Sequence, residues 1–211
     1  MNKTIFYGKH SIDKKDIESV KKTLNSNFLT TGNKPKEFET KFKKFVGSKY
    51  AITCNSGTSA IFLVALCLNF RKGDNIIIPD INFVAAANIS KFFSCNIYFA
   101  DVDKKSGQMS PLNLIDCIKK NNLRNIKAFF TMPLGGLISD TEFFFKIKKK
   151  YNCYWIEDAC HALGSKYNFK GKYFNCGNSK HSNFSIFSFH PIKAITTFEG
   201  GMITTNSKKF Y

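Results

Sequence analysis

From Tyr50 onward the chain alternates short apolar stretches with longer helical patterns, and this alternation constrains the fold more than any other feature. Strands are predicted over Tyr50–Cys54, Asn75–Pro79, Asn96–Ala100, Ile126–Thr131 and residues 153–156. Helices are predicted between them, over residues 57–68, 83–93, 112–119 and 140–150. Later apolar runs at 184–189 and 202–205 add two more strands. Strand and helix in strict succession build a mostly parallel sheet with helices on both faces. Ligands of such sheets bind beyond the carboxyl ends of the strands. With 211 residues and 43% apolar content, one large α/β domain is expected. No internal repeat and no low-complexity linker divides it.

Ahead of the alternation, Asp13 reads as the cap of a helix over Lys14–Leu24, with Ile17, Val20 and Leu24 on its apolar face. LTTGNKP, residues 29–35, reads as a loop. A second helix follows over 38–46, with Phe38, Phe42, Phe45 and Val46 on one face, and Gly47 ends it.

Net charge is +17, from 32 Lys+Arg against 15 Asp+Glu. A basic nucleic-acid-binding domain is the reading this first suggests. Against it, nearly all the charge is lysine spread along the chain, with Arg71 and Arg124 the only arginines. Phe, Ile, Asn and Tyr are abundant too, and with Lys they share AT-rich codons, so base composition accounts for the excess. The seven cysteines include no CxxC pair and read as reduced core thiols of a cytoplasmic protein. The first residues carry no apolar signal-peptide core, and the longest apolar run, 60–68, is too short to span a bilayer. Cys176 and His181 alone fall short of a metal site, so no metal is expected.

Three stretches carry chemistry. In FSIFSFHPIKAITTFEGG, residues 184–201, a buried strand runs into His190-Pro191, which halts regular structure. Lys193 follows between Ile192 and Ala194. Two readings are open: an amine made nucleophilic by an apolar setting, or a lysine snorkelling at a strand end. In NSGTSA, residues 55–60, a strand-to-helix turn offers Gly57, the hydroxyls of Thr58 and Ser59, and helix N–H groups suited to phosphate. An ordinary N-cap by Ser56 explains the same residues. No GxGxxG occurs, so a dinucleotide site is not supported. In IEDACHALGS, residues 156–165, a strand ends on Glu157 and Asp158, which alternation sends to opposite sides.

SFHPIKAITTFEGG closely resembles the Schiff-base lysine segment of the DegT/DnrJ/EryC1/StrS sugar aminotransferases. These are pyridoxal-phosphate (PLP) enzymes of transferase fold type I, the aspartate-aminotransferase-like fold. The resemblance implies that Lys193 bonds PLP and that Ser188 donates to its phosphate. NSGTSA resembles the family's phosphate cup, which assigns Gly57, Thr58 and Ser59 to the cofactor. The IEDACHALGS match implies that Asp158, not Glu157, is the anion beside the pyridine nitrogen, keeping the ring protonated as an electron sink. His161 matches the family histidine near the ring. Phe83, in DINFVAAAN, resembles the aromatic stacked on the ring, although with 23 Phe a core role competes. Asn88 matches too, without a derivable role. LTTG brings Thr30 and Thr31 to the sugar site, and His190 is also assigned to substrate. Phe198 stands where the family usually has a small residue, and TMPLGG, 131–136, departs from the commoner pattern.

The resemblance runs from Ile12 to about Thr205. It implies an amino transfer from glutamate to a 4-keto nucleotide-sugar, in surface-polysaccharide or pseudaminic-acid synthesis. A UDP-linked 4-keto-6-deoxy-N-acetylhexosamine is the expected acceptor, with GDP-perosamine or dTDP-sugar chemistry the alternative. A lysine at 193 argues against the family's dehydratases, which carry histidine there. Residues 1–211 are expected to be the N-terminal and large PLP-binding domain, without the family's small C-terminal domain. The full-length form is expected to be a homodimer. A non-catalytic or decaying PLP-binding fragment is the rival reading.

Overall fold

The computed structural model describes residues 8–211. In α1 (Lys14–Leu24) the Asp13 carboxylate accepts from the N–H groups of Lys15 and Asp16, and Asp16 reaches back to the Asp13 N–H. This reciprocal cap satisfies donors that a helix start otherwise leaves free. The expected apolar face forms, but none of its residues is buried. The next helix, α2 (Asn33–Val46), begins earlier than its apolar spacing implies. Pro35 falls in its first turn, where a missing N–H costs nothing, so it does not mark a loop. Gly47 closes α2 at φ 82°, donating to the Lys43 carbonyl.

Seven strands form one sheet in the order β1-β9-β8-β5-β4-β2-β3. They are β1 (Tyr50–Cys54), β2 (Asn75–Pro79), β3 (Asn96–Ala100), β4 (Ile126–Thr131), β5 (Tyr154–Asp158), β8 (Phe184–Ser188) and β9 (Gly201–Thr205). A separate hairpin joins β6 (Lys166–Phe169) to β7 (Lys172–Asn175). The β2, β3, β4, β5 and β8 pairings are parallel, and β9 runs antiparallel to both neighbours. Strand β1 therefore points the same way as β8, and the sheet is mostly parallel as the alternation predicts.

The helices α3 (Gly57–Cys67), α4 (Ala85–Phe92), α5 (Pro111–Lys120) and α6 (Thr141–Lys150) complete the layers. Side chains of one strand feed opposite cores, because successive residues point to opposite faces. Ile76, Ile78, Phe130, Ile156 and Ile186 join Ala60, Val64 and Ala86 from α3 and α4. Ile77, Phe129 and Trp155 join Leu114, Ile118, Phe144 and Ile147 from α5 and α6. Phe42 and Val46 of α2 pack with Phe187 and Met202. The molecule is thus three-layered, and each fully buried Phe or Ile contributes roughly 1.5–3 kcal/mol against exposure. No helix among the described residues is long and apolar enough to cross a membrane.

Candidate active site

Because β1, β2, β4, β5 and β8 share a direction, their carboxyl ends open on one edge of the sheet. A cavity of about 530 Å³ lies there. Each strand sends its following segment into the wall: Ser56 after β1, Asn82 after β2, Met132 after β4, His161 after β5 and His190 after β8. This is where a parallel sheet is expected to take a ligand.

The first wall is the start of α3. Ser56 is its N-cap, with its Oγ accepting from the Ser59 N–H at 3.1 Å. The Ser56 hydroxyl also donates to Ser59 Oγ at 3.0 Å. Ser59 is therefore engaged in the cap and does not line the cavity, whereas Gly57 and Thr58 do. Their N–H groups lie in the first turn, which has no intrahelical acceptors. A Cβ on Gly57 would stand 3.0 Å from the Ser188 Cβ and 3.4 Å from the Cys160 Sγ. The glycine lets the helix start close directly on the end of β8. The capping reading of NSGTSA is seen directly in Ser56, and Gly57 and Thr58 of the same turn line the cavity.

The second wall is the end of β5. Asp158, 4% exposed, lines the cavity. One carboxylate oxygen accepts from the Cys160 N–H at 3.2 Å. Glu157 turns to the opposite face, where it accepts from the Ser185 hydroxyl at 2.8 Å. Burial pushes the Glu157 carboxyl up, opposed by hydrogen bonds from Ser185, Cys176 and the Gly177 N–H. His161 is exposed at the rim. Burial lowers its pKa first, the Lys193 charge lowers it further, and the Asp158 charge opposes both. Lys193 and Asp158 thus act electrostatically on one imidazole. Burial also drives the Cys160 thiol well up, with the Asp158 charge adding to the effect.

The third wall is the irregular segment after β8. The Lys193 N–H donates to the His190 carbonyl at 2.9 Å, a tight turn over Pro191. Thr196 Oγ1 and the Thr197 N–H both donate to the Phe189 carbonyl, at 2.9 and 3.0 Å. The Phe198 N–H donates to Thr196 Oγ1 at 3.0 Å, and the Phe189 N–H to the Gly200 carbonyl at 2.8 Å. Threonines thus replace the sheet ladder and hold half-buried Lys193 in the wall. At the end of this segment a Cβ on Gly201 would collide with the Ser56 carbonyl oxygen. Close approach there ties the lysine segment to the start of α3.

Of the residues singled out from sequence, the cavity gathers Gly57, Thr58, Phe83, Asp158, His161, Ser188, His190 and Lys193. Phe83 is not the start of a helix as expected. It lies in the loop before α4, 69% exposed. Thr30 and Thr31 do not reach the cavity; both are exposed between α1 and α2, with Thr31 Oγ1 donating to the Thr30 carbonyl. Asn82, Met132, Leu134 and Glu199 also line the wall; none was named as a site residue, although each lies in a stretch singled out from sequence, Met132 and Leu134 in TMPLGG. Glu199 had a further local signal, as the acid between Phe198 and the paired glycines.

A family model described as the DegT/DnrJ/EryC1/StrS aminotransferase family matches residues 10–211. The chain is 37% identical over 205 residues to the UDP-4-amino-4,6-dideoxy-N-acetyl-beta-L-altrosamine transaminase of Campylobacter jejuni, covering 97% of this chain and 52% of that protein. It is 35% identical to the GDP-perosamine synthase of Escherichia coli O157:H7, covering 95% of this chain and 53% of that protein. Among solved structures it resembles PseC of Helicobacter pylori, an aminotransferase involved in the biosynthesis of pseudoaminic acid. That match has TM-score 0.84 and 33% identity, over 99% of this chain and 54% of the other. The PLP form of the putative sugar aminotransferase Spr1654 from Streptococcus pneumoniae matches with TM-score 0.86 at 26% identity, over 98% and 54% of the two chains. The chain spans about half the length of the curated relatives it matches.

Proposed function

The chain belongs to the DegT/DnrJ/EryC1/StrS aminotransferase family, and on that premise we propose that it is the PLP-binding part of a nucleotide-sugar aminotransferase. The observation that carries this reading is the convergence in one cavity of a lysine, a buried aspartate and the donor end of a helix. Those residues fit PLP group by group. The first turn of α3 presents N–H donors where a phosphate would sit, and Gly57 leaves no Cβ in the way. Asp158 supplies a buried carboxylate, the partner a pyridinium nitrogen requires. Lys193 supplies an amine on the same wall. When bound, the cofactor supplies an electron sink that stabilises a carbanion next to the reacting nitrogen.

The chain's own residues take the remaining roles. Gly57, Thr58 and Ser188 hold the phosphate. Asp158 would stand beside the ring nitrogen, its carboxylate oriented by the Cys160 N–H. Lys193 would hold the cofactor through its amine, and that amine, when free, would carry a proton to and from the reacting carbon. Phe83 and His161, both in the cavity wall, would border the ring. The amino donor proposed is glutamate, and the acceptor a UDP-linked 4-keto-6-deoxy-N-acetylhexosamine. The printed names of the Campylobacter and Helicobacter relatives support that acceptor. The GDP-perosamine synthase relative supports a GDP-linked alternative. The proposed domain assignment is that residues 1–211 are the N-terminal and large PLP-binding domain, and the proposed assembly is a homodimer whose second subunit contributes to the sugar site.

The test is borohydride reduction of the chain after incubation with PLP. The pyridoxyl label is expected on Lys193, and Lys193→Ala should take up none. A label on another lysine would overturn the assignment. Substrate class is read on a chain extended to the length of its relatives, with UDP-, dTDP- and GDP-linked ketosugars. Turnover of UDP sugars is expected; turnover of GDP sugars alone selects the perosamine-type reading, and none with any ketosugar leaves a non-catalytic PLP-binding role.

A further inference from the structure

Asn82 sits in the cavity wall with both polar atoms of its side chain shielded from solvent and without a hydrogen-bond partner. It is the only described residue in that state at both atoms; the other orphan, Gln108 Nε2, borders a separate cavity of about 20 Å³, the size of one water. A buried carboxamide left unpaired gives up its hydration at both polar atoms and recovers nothing in return. An easy local remedy goes unused. Asparagine is a favoured helix cap, yet α4 begins two residues beyond Phe83 with Val84 at its N-cap and no side-chain cap.

We propose that Asn82 is a cofactor-contacting residue, and that it serves the pyridine ring edge rather than the phosphate. This rests on the PLP reading above. Two observations select the ring. First, a carboxamide carries one acceptor and two donors, so it is satisfied by a group that both gives and takes a hydrogen bond. An ionised phosphate only accepts, which would leave Asn82 Oδ1 unpaired and facing negative charge. A ring hydroxyl does both. Second, Asn82 follows β2, which lies three places from β8 in the sheet order. Ser188 at the end of β8 and the start of α3 form the phosphate wall, so Asn82 enters from the far side, next to Phe83. In the roles proposed above Asp158 takes the ring nitrogen and Lys193 the aldehyde, and His161 is the other side chain placed at the ring edge.

The test measures the affinity of this chain for PLP and for pyridoxal, which lacks the phosphate, by absorbance of the bound chromophore. Asn82→Leu and Asn82→Ala should weaken both ligands by the same factor, about tenfold, the size of one lost hydrogen bond. Their unliganded melting temperatures should equal or exceed that of the wild type, because an unpaired buried amide is removed. Thr58→Ala should weaken PLP and leave pyridoxal unchanged. Asn82 variants that bind both ligands within twofold of wild type overturn the contact. So do variants that lose only the phosphate-bearing ligand, or that melt lower with affinity unchanged, which marks a purely structural amide. If Asn82→Leu does not fold, Asn82→Ala gives the same reading. Wild type that takes up no PLP overturns the contact and the proposed function together; wild type that binds, with unaltered variants, overturns the contact alone.

Discussion

Phe198 is the only aromatic residue among those described at a positive φ, 67°. A left-handed backbone costs an L-residue with a bulky side chain about 1–2 kcal/mol, and here the ring is 65% exposed, so burial returns little. The segment tolerates it because threonines fix the turn on both sides, through Thr196 Oγ1 to the Phe198 N–H and Thr197 Oγ1 to the Glu199 carbonyl. Phe198→Gly is expected to raise the melting temperature by about 2–4 °C, the shift that about 1 kcal/mol produces in a chain this size. A lower melting point in a thermal scan would mean that the ring packs more than its exposure indicates. At this scale Lys193, Asp158 and Gly57 stood out in the sequence, but their residue types left two readings open until the family resemblance was added; the structure gathers all three in one cavity. Asn82, Met132 and Leu134 had no assigned place, because they reach the cavity only when loops after different strands converge.

Elements were legible in kind and blurred in direction and at their ends. Apolar runs located the sheet strands, yet nothing in GMITT distinguishes the antiparallel β9 from its parallel neighbours. The β6–β7 hairpin was missed, since KYNF and KYFN lack an apolar run. Its turn, Lys170-Gly171 with both φ positive at 50° and 78°, was the available signal. Close contact between elements was hidden too. The Ser56 carbonyl lies where a Cβ on Gly201 would go. Gly201→Ala must push α3 off β9, and is expected to cost about 1–3 kcal/mol, measured as a lower urea midpoint, with PLP affinity falling alongside. A second test concerns the hairpin and α6. His181 is buried, stacked on Phe169 with centroids 3.6 Å apart, and its Nδ1 meets the Tyr167 hydroxyl at 2.8 Å. Burial, then the Lys180 and Lys148 charges, hold its pKa down at about 4 from 6.5, against the Glu142 charge. Between these values the unfolded chain binds more protons than the folded one, so stability rises with pH across that window. The raised carboxyl of Glu157 acts in the opposite sense. The comparison is therefore with His181→Gln, whose urea midpoint should gain less between pH 5 and 7 than the wild type's. An equal gain would remove His181 as the source.

For the whole molecule, the layered architecture followed from the succession of elements, but the surroundings of α1 did not. Helical spacing gave α1 an apolar face, but not what covers it. Ile17, Val20 and Leu24 are 58%, 50% and 65% exposed, and Phe28 and Leu29 just beyond are 70% and 66% exposed. The helix carries its own capping box, and none of its residues is buried. Isolated helices of this length are marginal in water, and a contiguous exposed apolar stripe promotes association. The net charge of +17 opposes association at low salt, and screening removes that protection beyond roughly 8 Å at physiological ionic strength. The 211-residue chain alone is therefore expected to self-associate as salt is raised. Val20→Lys with Leu24→Glu should suppress this, because both lie on the exposed stripe and far in sequence from the cavity. The measurement is light scattering at low and at physiological salt, with PLP affinity as the control. Wild type and double variant that stay equally monodisperse at high salt would show that the α1 face does not drive association. Loss of PLP affinity in the double variant would show that α1 bears on the cavity it does not line.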